Sequence, residues 1–173
     1  MERPVITLTE EMFASARQKA GLAHVNRTIA CRAGTRNDTL TGFLGEYAFC
    51  QHGYGDWRMA NPEGNKGLID CGQIEVKASA FPFRPSLNLL VREDYAAKRK
   101  PDAYVQVIID LPDRNSDLTP GQPAILCGWA SAEQVDAAPL TDYGAKNGRP
   151  AGYRCRSIPL WRLQPMATLP PLW

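Results

Sequence analysis

The sequence predicts an α/β (α+β) fold in which a mixed central β-sheet is flanked by helices. Segments with helical apolar spacing come first along the chain, and several strand-like segments with a helical segment between them follow. Of the 173 residues, 44% are apolar and 22% are charged, which is typical of a globular protein of single-domain size. We therefore expect one domain that spans residues 1–173.

Two helices are predicted in the first third of the chain. Residues 8–20 have Thr9 as an N-cap, acidic residues in the first turn and Gly21 directly after the last turn. Residues 39–52 carry apolar side chains at i, i+3, i+4, i+7 and i+8, namely Leu40, Phe43, Leu44, Tyr47 and Ala48. This spacing predicts a second helix with one apolar face.

The rest of the chain is predicted to be rich in strands. Residues 53–67 contain four glycines and one proline and predict a loop, and a hairpin follows with arms at 67–70 and 74–79. Further strands are predicted at 87–91, 103–109, 124–129 and 153–158, with short helices at 94–99 and from Ser131 onwards. The segment 103–109 is apolar enough to be a central strand.

The hairpin carries the residues that suggest chemistry. A turn centred on Gly72-Gln73 places Asp70 opposite Glu75 on the neighbouring arm. Because side chains alternate along a strand, Glu75 and Lys77 share one face with Asp70. Two carboxylates this close repel each other, and a divalent cation between them removes the repulsion. Oxygen ligands of this kind suit Mg²⁺.

These residues resemble the motif of the PD-(D/E)XK nuclease superfamily. The match consists of Ile69-Asp70, four intervening residues and Glu75-Val76-Lys77, preceded by a helix that contains Gly45-Glu46. The resemblance implies an αβββαβ, restriction-endonuclease-like core at about 39–135. The segment 1–37 would then be a helical extension, and 150–173 a final strand and Pro-rich tail.

The resemblance also implies roles for the residues that match. Asp70 and Glu75 would bind Mg²⁺, or Mn²⁺ as a substitute, with the Val76 carbonyl as a further ligand. Lys77 would position or activate the attacking water, and Glu46 would assist with a metal or its waters. The spacing between Asp70 and Glu75 is short for this family, so Asp56 or Glu63 are the alternative metal acids.

Two polar residues near the motif are lesser candidates. Ser79 shares a strand face with Lys77, so it either contacts a phosphate or is an ordinary polar strand end. Gln106 is the one polar residue inside an apolar strand, and it either reaches toward the site or faces solvent.

Charge permits a DNA partner without establishing one. The formal net charge is only +2, yet 14 of the 20 basic residues are Arg, the side chain that binds phosphate in a bidentate manner. The basic residues gather in three groups, and without other evidence solvated surfaces are the preferred explanation for them. The groups are Arg27, Arg32 and Arg36; Lys98, Arg99 and Lys100; and Arg154, Arg156 and Arg162.

The cysteines and the hydropathy pattern suggest a cytoplasmic protein. There are five Cys residues with scattered spacing and no C-x-x-C pair, so we expect free thiols in a reducing compartment. Cys50 and His52 alone are weak evidence for zinc. No apolar run reaches the roughly 20 residues of a membrane-spanning helix, so no membrane partner is expected.

The sequence thus predicts a Mg²⁺-dependent deoxyribonuclease, which we expect to cut internally in DNA. One alternative is a catalytically inactive nucleic-acid-binding module of the same fold, and another is an RNA or single-strand exonuclease. A third alternative is an interaction protein whose hairpin charges are incidental. Cleavage of both strands of a duplex would favour a homodimer.

Overall fold

The computed structural model describes residues 2–22, 36–60, 69–93, 100–143 and 153–171. Several sequence-based expectations concern residues outside these ranges, and their structure is not described. These are the short helix at 94–99, the alternative acid Glu63, and the basic residues Arg27, Arg32, Lys98 and Arg99.

Both long helices predicted from the sequence are confirmed. Helix α1 spans Glu10–Leu22 and begins after Thr9, whose hydroxyl accepts a hydrogen bond of 3.2 Å from the Met12 N–H. This is the N-cap interaction that the sequence predicts. Helix α2 spans Arg36–Tyr54 and packs against α1.

The central sheet is mixed, as predicted. Its strands are β1 (Val5–Thr7), β2 (Ile74–Phe81), β4 (Ala103–Asp110) and β5 (Pro123–Ser131), in the order β1-β5-β4-β2. Strand β2 runs parallel to β4, whereas β5 is antiparallel to both β4 and β1. Strand β1 is too short to have been recognised from the sequence.

A second, antiparallel sheet was not expected. It contains β3 (Asn88–Arg92), β6 (Leu140–Asp142) and β7 (Arg154–Pro159), in the order β3-β7-β6. The strands predicted at 87–91 and 153–158 are therefore confirmed, but they pair with each other rather than with the central sheet. The short helix α3 (Ala132–Asp136) follows β5 and has the capping box between Ser131 and Gln134 that the sequence predicts.

The two faces of the central sheet are covered by different layers. On one face, α1 and α2 pack on the inward side chains of β2, β4 and β5, among them Val76, Val105 and Val107. On the other face, Tyr104, Ile108 and Cys127 pack against Leu89 and Val91 of the second sheet. Residues 103–109 are accordingly all buried, which is why β4 has a continuous run of apolar residues.

The predicted hairpin is reduced to a tight turn. Cys71 and Ile74 form an isolated antiparallel bridge with hydrogen bonds in both directions, and Gly72 takes φ 57° in the turn. Ile69 and Asp70 are not in a strand. The reason is the Asp70 side chain, which accepts a hydrogen bond from the Val76 N–H at 2.8 Å. In a continued ladder, a backbone carbonyl would accept that bond.

The cysteines correct one expectation. Cys50 of α2 and Cys71 of the turn form a disulfide, so the prediction of free thiols is wrong for this pair. The pair also removes Cys50 as a zinc ligand beside His52. Cys127 is buried, and burial raises the pKa of its thiol to about 12.

Within the described ranges, no helix combines the length and apolar character needed to cross a membrane.

Candidate functional site

Asp70 is held at the start of β2 by the turn that precedes the strand. The Cys71–Ile74 bridge brings it back beside the strand, where its buried carboxylate accepts the Val76 N–H. The N–H and the carbonyl of one strand residue point to the same side. The Val76 carbonyl, the further metal ligand implied by the motif, therefore faces the edge of β2 that Asp70 occupies.

Glu75 and Lys77 extend from β2 on the face opposite to α2. The intervening side chains Val76 and Ala78 pack toward the helices, which fixes the direction of their neighbours. The Lys77 ammonium donates to the Glu75 carboxylate at 2.7 Å, and the two side chains are only 24% and 16% exposed. Because water reaches this ion pair only partly, its attraction is screened less than that of a surface pair.

Glu46 approaches from α2, and its position depends on Gly45. A Cβ atom at position 45 would clash with the Cβ of Ala78 and would lie 3.8 Å from the Cβ of Val107. The absence of a side chain thus lets α2 lie directly on β2 and β4. The next residue, Glu46, is only 5% exposed.

The pKa of Glu46 depends on its burial and on the charges of the other three residues. Burial raises the pKa of the Glu46 carboxyl well above its ordinary value, and the charge of Asp70 raises it further. Glu75 also raises this pKa, whereas Lys77 lowers it. The other three residues predicted from the sequence therefore all act electrostatically on Glu46, and we call Glu46, Asp70, Glu75 and Lys77 the site cluster.

Lys19 is a neighbour of the cluster that sequence reasoning missed. It extends from the last turn of α1, with its ammonium 5.0 Å from the ring centroid of Tyr47 and 5.6 Å from that of Phe43. Its charge lowers the pKa of Glu46. The sequence offers no signal for this placement, because a lysine in a last helical turn is common and its neighbours depend on how α1 packs on α2.

Tyr104 is a second residue that was missed. It pairs in register with Glu75 on the neighbouring strand β4. Burial raises the pKa of its phenol to about 12, and the charges of Glu75 and Asp136 contribute. Its apolar neighbours in the sequence gave it the appearance of an ordinary core residue.

The cluster contains the kinds of ligand atom that a hard divalent cation prefers, but its side chains are not arranged around a common point. Three carboxylates and one backbone carbonyl are the oxygen ligands that Mg²⁺ prefers. A cation would also relieve the repulsion that raises the pKa of Glu46. Within the described ranges, however, no three or more His, Cys, Asp or Glu side chains are grouped to hold a metal ion. Glu75 is instead directed to Lys77, and Asp70 to the Val76 N–H.

The other candidates are placed less favourably. Asp56 caps a short 3-10 turn, where it accepts hydrogen bonds from the Arg58 backbone at 3.0 Å and side chain at 3.4 Å. Of the carboxylates that act on Glu46, Asp70 has the largest effect. Gln106 does not face solvent: it is 1% exposed, it pairs in register with Lys77, and its amide donates to the Val107 carbonyl at 2.9 Å.

The arginines of the third basic group, near the C-terminal end of the sequence, make contacts within the protein. Arg154 pairs with Glu93 at 3.5 Å, and Arg156 donates to the Ala138 carbonyl at 2.8 Å. The Arg162 guanidinium lies 4.8 Å from the ring centroid of its neighbour Trp161. These arginines therefore have roles in packing, whatever else they contact.

No protein-family model, curated protein or solved structure matches this chain. The assignment to the PD-(D/E)XK superfamily remains a hypothesis drawn from the motif.

Proposed function

We propose that this protein is a divalent-metal-dependent nuclease that hydrolyses DNA phosphodiester bonds, cutting internally. The observation that carries the proposal is electrostatic: Asp70, Glu75 and Lys77 all affect the pKa of the buried Glu46 carboxyl on a separate helix, and Lys77 pairs with Glu75. These three acids and one lysine are all largely removed from water. Buried charges are costly to maintain, so their accumulation at one place supports a chemical role.

Each residue has a distinct part in the proposal. Asp70, Glu75 and the Val76 carbonyl would hold Mg²⁺ or Mn²⁺, and Glu46 would hold the same ion or its water ligands. The bound ion supplies a water of lowered pKa and neutralises charge on the scissile phosphate. Lys77 would hold the attacking water in line with the phosphorus or stabilise negative charge on the phosphate oxygens. Its contact with Glu75 keeps the ammonium group beside the carboxylates.

The partner and the location follow from this proposal. DNA is the partner, and a homodimer would allow both strands to be cut. A cytoplasmic location forms part of the same proposal and rests on the presence of the substrate there, because the Cys50–Cys71 disulfide removes the argument from free thiols.

A nucleic-acid-binding module without catalysis is the second candidate. The observation that favours it is the absence, within the described residues, of a grouped set of three metal-binding side chains. Metal-dependent cleavage by the wild-type protein excludes this alternative, and metal-independent DNA binding without cleavage supports it.

The test compares Lys77→Ala with Lys100→Ala in the cleavage of plasmid and of single-stranded circular DNA, with Mg²⁺, with Mn²⁺ and with a chelator. Lys100 is a matched control because it also donates to a carboxylate, that of Asp136, at 2.8 Å, but on the surface with its side chain 67% exposed. Loss of a positioned proton-transfer or electrostatic group lowers a rate by about 10²- to 10⁴-fold. We expect a loss of this size for Lys77→Ala and the wild-type rate for Lys100→Ala. Cleavage by Lys77→Ala at the wild-type rate would refute the proposal.

Metal binding provides a second measurement that does not depend on cleavage. Calorimetric titration of Mn²⁺ should show weaker binding in Asp70→Asn and in Glu75→Gln than in the wild type, because each variant replaces a charged ligand by a neutral one. Binding of unchanged affinity in both variants would show that the metal is held elsewhere.

A further inference from the structure

A groove runs along the second half of β2. It has a volume of about 570 Å³, and its lining on this strand begins at Ala78, directly after Lys77 of the site cluster. Strand β2, helix α2, the loop after β4 and the segment before β7 all contribute to its lining. The lining residues that matter here are Thr41, Ser79, Phe81, Arg114, Ser116 and Tyr153. We call this feature the β2 groove.

Two aromatic rings with arginine neighbours line the β2 groove, and of these Phe81 is exposed and Tyr153 is half-buried. Phe81 is 40% exposed, which is unusual for a phenylalanine, and the Arg114 guanidinium lies 5.8 Å from its ring centroid. Tyr153 has a similar neighbour, because the Arg92 guanidinium lies 5.7 Å from its ring centroid. Aromatic rings beside cations are the combination that binds the bases and phosphates of single-stranded nucleic acid.

The β2 groove is aligned with the site cluster. Lys77, Ser79 and Phe81 occupy alternate positions of one strand, so they share a face and follow one another at intervals of about 6.6 Å. A chain that passes Lys77 along this face meets a hydroxyl next and an aromatic ring after it. A phosphate at the cluster could therefore continue into a nucleotide whose base stacks on Phe81.

Of the three acidic residues that adjoin the groove lining in the sequence, Asp110, Asp113 and Asp117, the first two are directed to the backbone. The Asp110 carboxylate accepts a hydrogen bond from the Phe83 N–H at 2.7 Å. The Asp113 carboxylate accepts one from the Asn115 N–H, also at 2.7 Å. Among the described residues that line the groove, Arg114 is the charged one, so the lining itself favours an anionic occupant.

We propose that the β2 groove binds a single-stranded stretch of DNA adjacent to the bond that the site cluster cleaves. This inference rests on the proposed nuclease function and specifies its substrate as DNA with a single-stranded region. In a duplex, the bases are already stacked and paired, so they cannot stack on a protein ring without being unpaired. A single strand presents its bases freely to Phe81 and its phosphates to Arg114.

The test measures binding without cleavage, by fluorescence anisotropy of a labelled oligothymidine and of a blunt duplex of equal length, both in chelator. Loss of a stacking ring costs about 1–3 kcal/mol per base, so Phe81→Ala and Phe81→Leu should weaken single-strand binding about 5- to 150-fold. Phe81→Trp should retain it. Each phosphate contact contributes about 0.7 to the salt dependence of single-strand binding, so Arg114→Ala should lower that slope by about this amount.

The control uses an aromatic and arginine pair elsewhere on the surface. Trp161 is 62% exposed and neighbours Arg162, so Trp161→Ala and Arg162→Ala remove comparable groups without touching the lining of the groove. Both variants should bind oligothymidine as the wild type does. Equal single-strand affinity of Phe81→Ala and the wild type would overturn the inference, and so would an equal loss in Trp161→Ala.

The two proposals fail in different ways. If the wild-type protein cuts DNA but Phe81→Ala binds oligothymidine normally, the groove assignment fails and the nuclease survives. If Phe81→Ala weakens binding while no metal supports cleavage, the groove assignment survives and the nuclease fails. Preference for the duplex over oligothymidine in the wild type would also overturn the assignment of the groove to single strands.

Discussion

Gly45 is the place where the smallest change should have the clearest effect. Gly45→Ala adds one methyl group where α2 lies against β2, and that methyl group would clash with the Cβ of Ala78. Neither partner can move away by changing a rotamer, because both methyl groups are attached directly to the backbone. The helix must therefore shift away from the strand, and it carries Glu46 with it.

The size of the effect follows from two opposing contributions. Replacing Gly by Ala in a helix interior stabilises the helix by about 1 kcal/mol. Overpacking a core costs about 1–3 kcal/mol, and backbone-anchored neighbours place this site in the upper part of that range. We expect a net loss of about 1–2 kcal/mol, which for a protein of this size lowers Tm by about 2–8 °C. A displacement of about 1 Å at a reacting centre costs about 10²-fold in rate.

Thermal denaturation and the cleavage assay together test this prediction. Gly42→Ala is the matched control, because it lies in the same helix and an added Cβ would meet no atom within 4 Å. This variant should be more stable than the wild type by up to about 1 kcal/mol. The double variant Gly45→Ala/Ala78→Gly restores space and should recover activity. If Gly45→Ala is as stable and as active as Gly42→Ala, the close approach of α2 and β2 does not position Glu46.

Three further predictions concern the cluster and the disulfide. Asp70→Ala leaves the buried Val76 N–H unpaired and should lower the free energy of unfolding, measured in urea, by about 1–3 kcal/mol. Asp70→Asn keeps a hydrogen-bond acceptor and should lower it less. Equal losses in the two variants would contradict the role of this hydrogen bond. Burial raises the pKa of the Glu46 carboxyl in the folded state, so without metal the wild type loses stability as pH rises from about 4.5 through that raised pKa. Glu46→Gln should therefore gain stability relative to the wild type over this window, and a pH-independent difference would contradict the pKa direction. The Cys50–Cys71 disulfide spans 21 residues, so its reduction by dithiothreitol should remove about 3 kcal/mol of stability. The Tm of a double serine variant should not respond to the reductant, and an unchanged wild-type Tm would show that the bond contributes nothing.

Local patterns were sufficient to predict the helices and most of the strands. Thr9 and the capping box of Ser131 identify helix starts because the capping interaction involves residues only three positions apart. The apolar run 103–109 identifies the central strand because a strand that is buried on both faces consists almost entirely of apolar residues. Each of these features depends on neighbours in the sequence.

Features that depend on tertiary packing could not be predicted in the same way. The separation of β3 and β7 into a second sheet depends on pairing between residues more than 60 positions apart. The approach of Lys19 to Glu46 depends on the angle at which two helices pack. The pairing of Cys50 with Cys71 depends on the contact between α2 and the turn, for which the cysteine spacing gives no indication.

The motif predicted the members of the cluster better than their contacts. Alternation along β2 correctly put Glu75 and Lys77 on one face, because that property belongs to every strand. The sequence did not reveal that Asp70 would bond to the Val76 backbone rather than extend a hairpin. A side chain that can accept a backbone N–H competes with the ladder, and the outcome depends on how deeply it is buried.

The hydrogen bond between Asp70 and Val76 also affects how the protein behaves at high concentration. Strand β2 is the last strand of the central sheet within the described residues, and an open strand edge is a template on which another chain can add. The Asp70 carboxylate covers one outward N–H of that edge, and Glu75 and Lys77 add charge next to it. The acids and the lysine of the cluster therefore also disfavour the pairing of β2 with a strand of another molecule. Variants that neutralise them to test the proposed nuclease function should show a greater tendency to aggregate, which light scattering can measure.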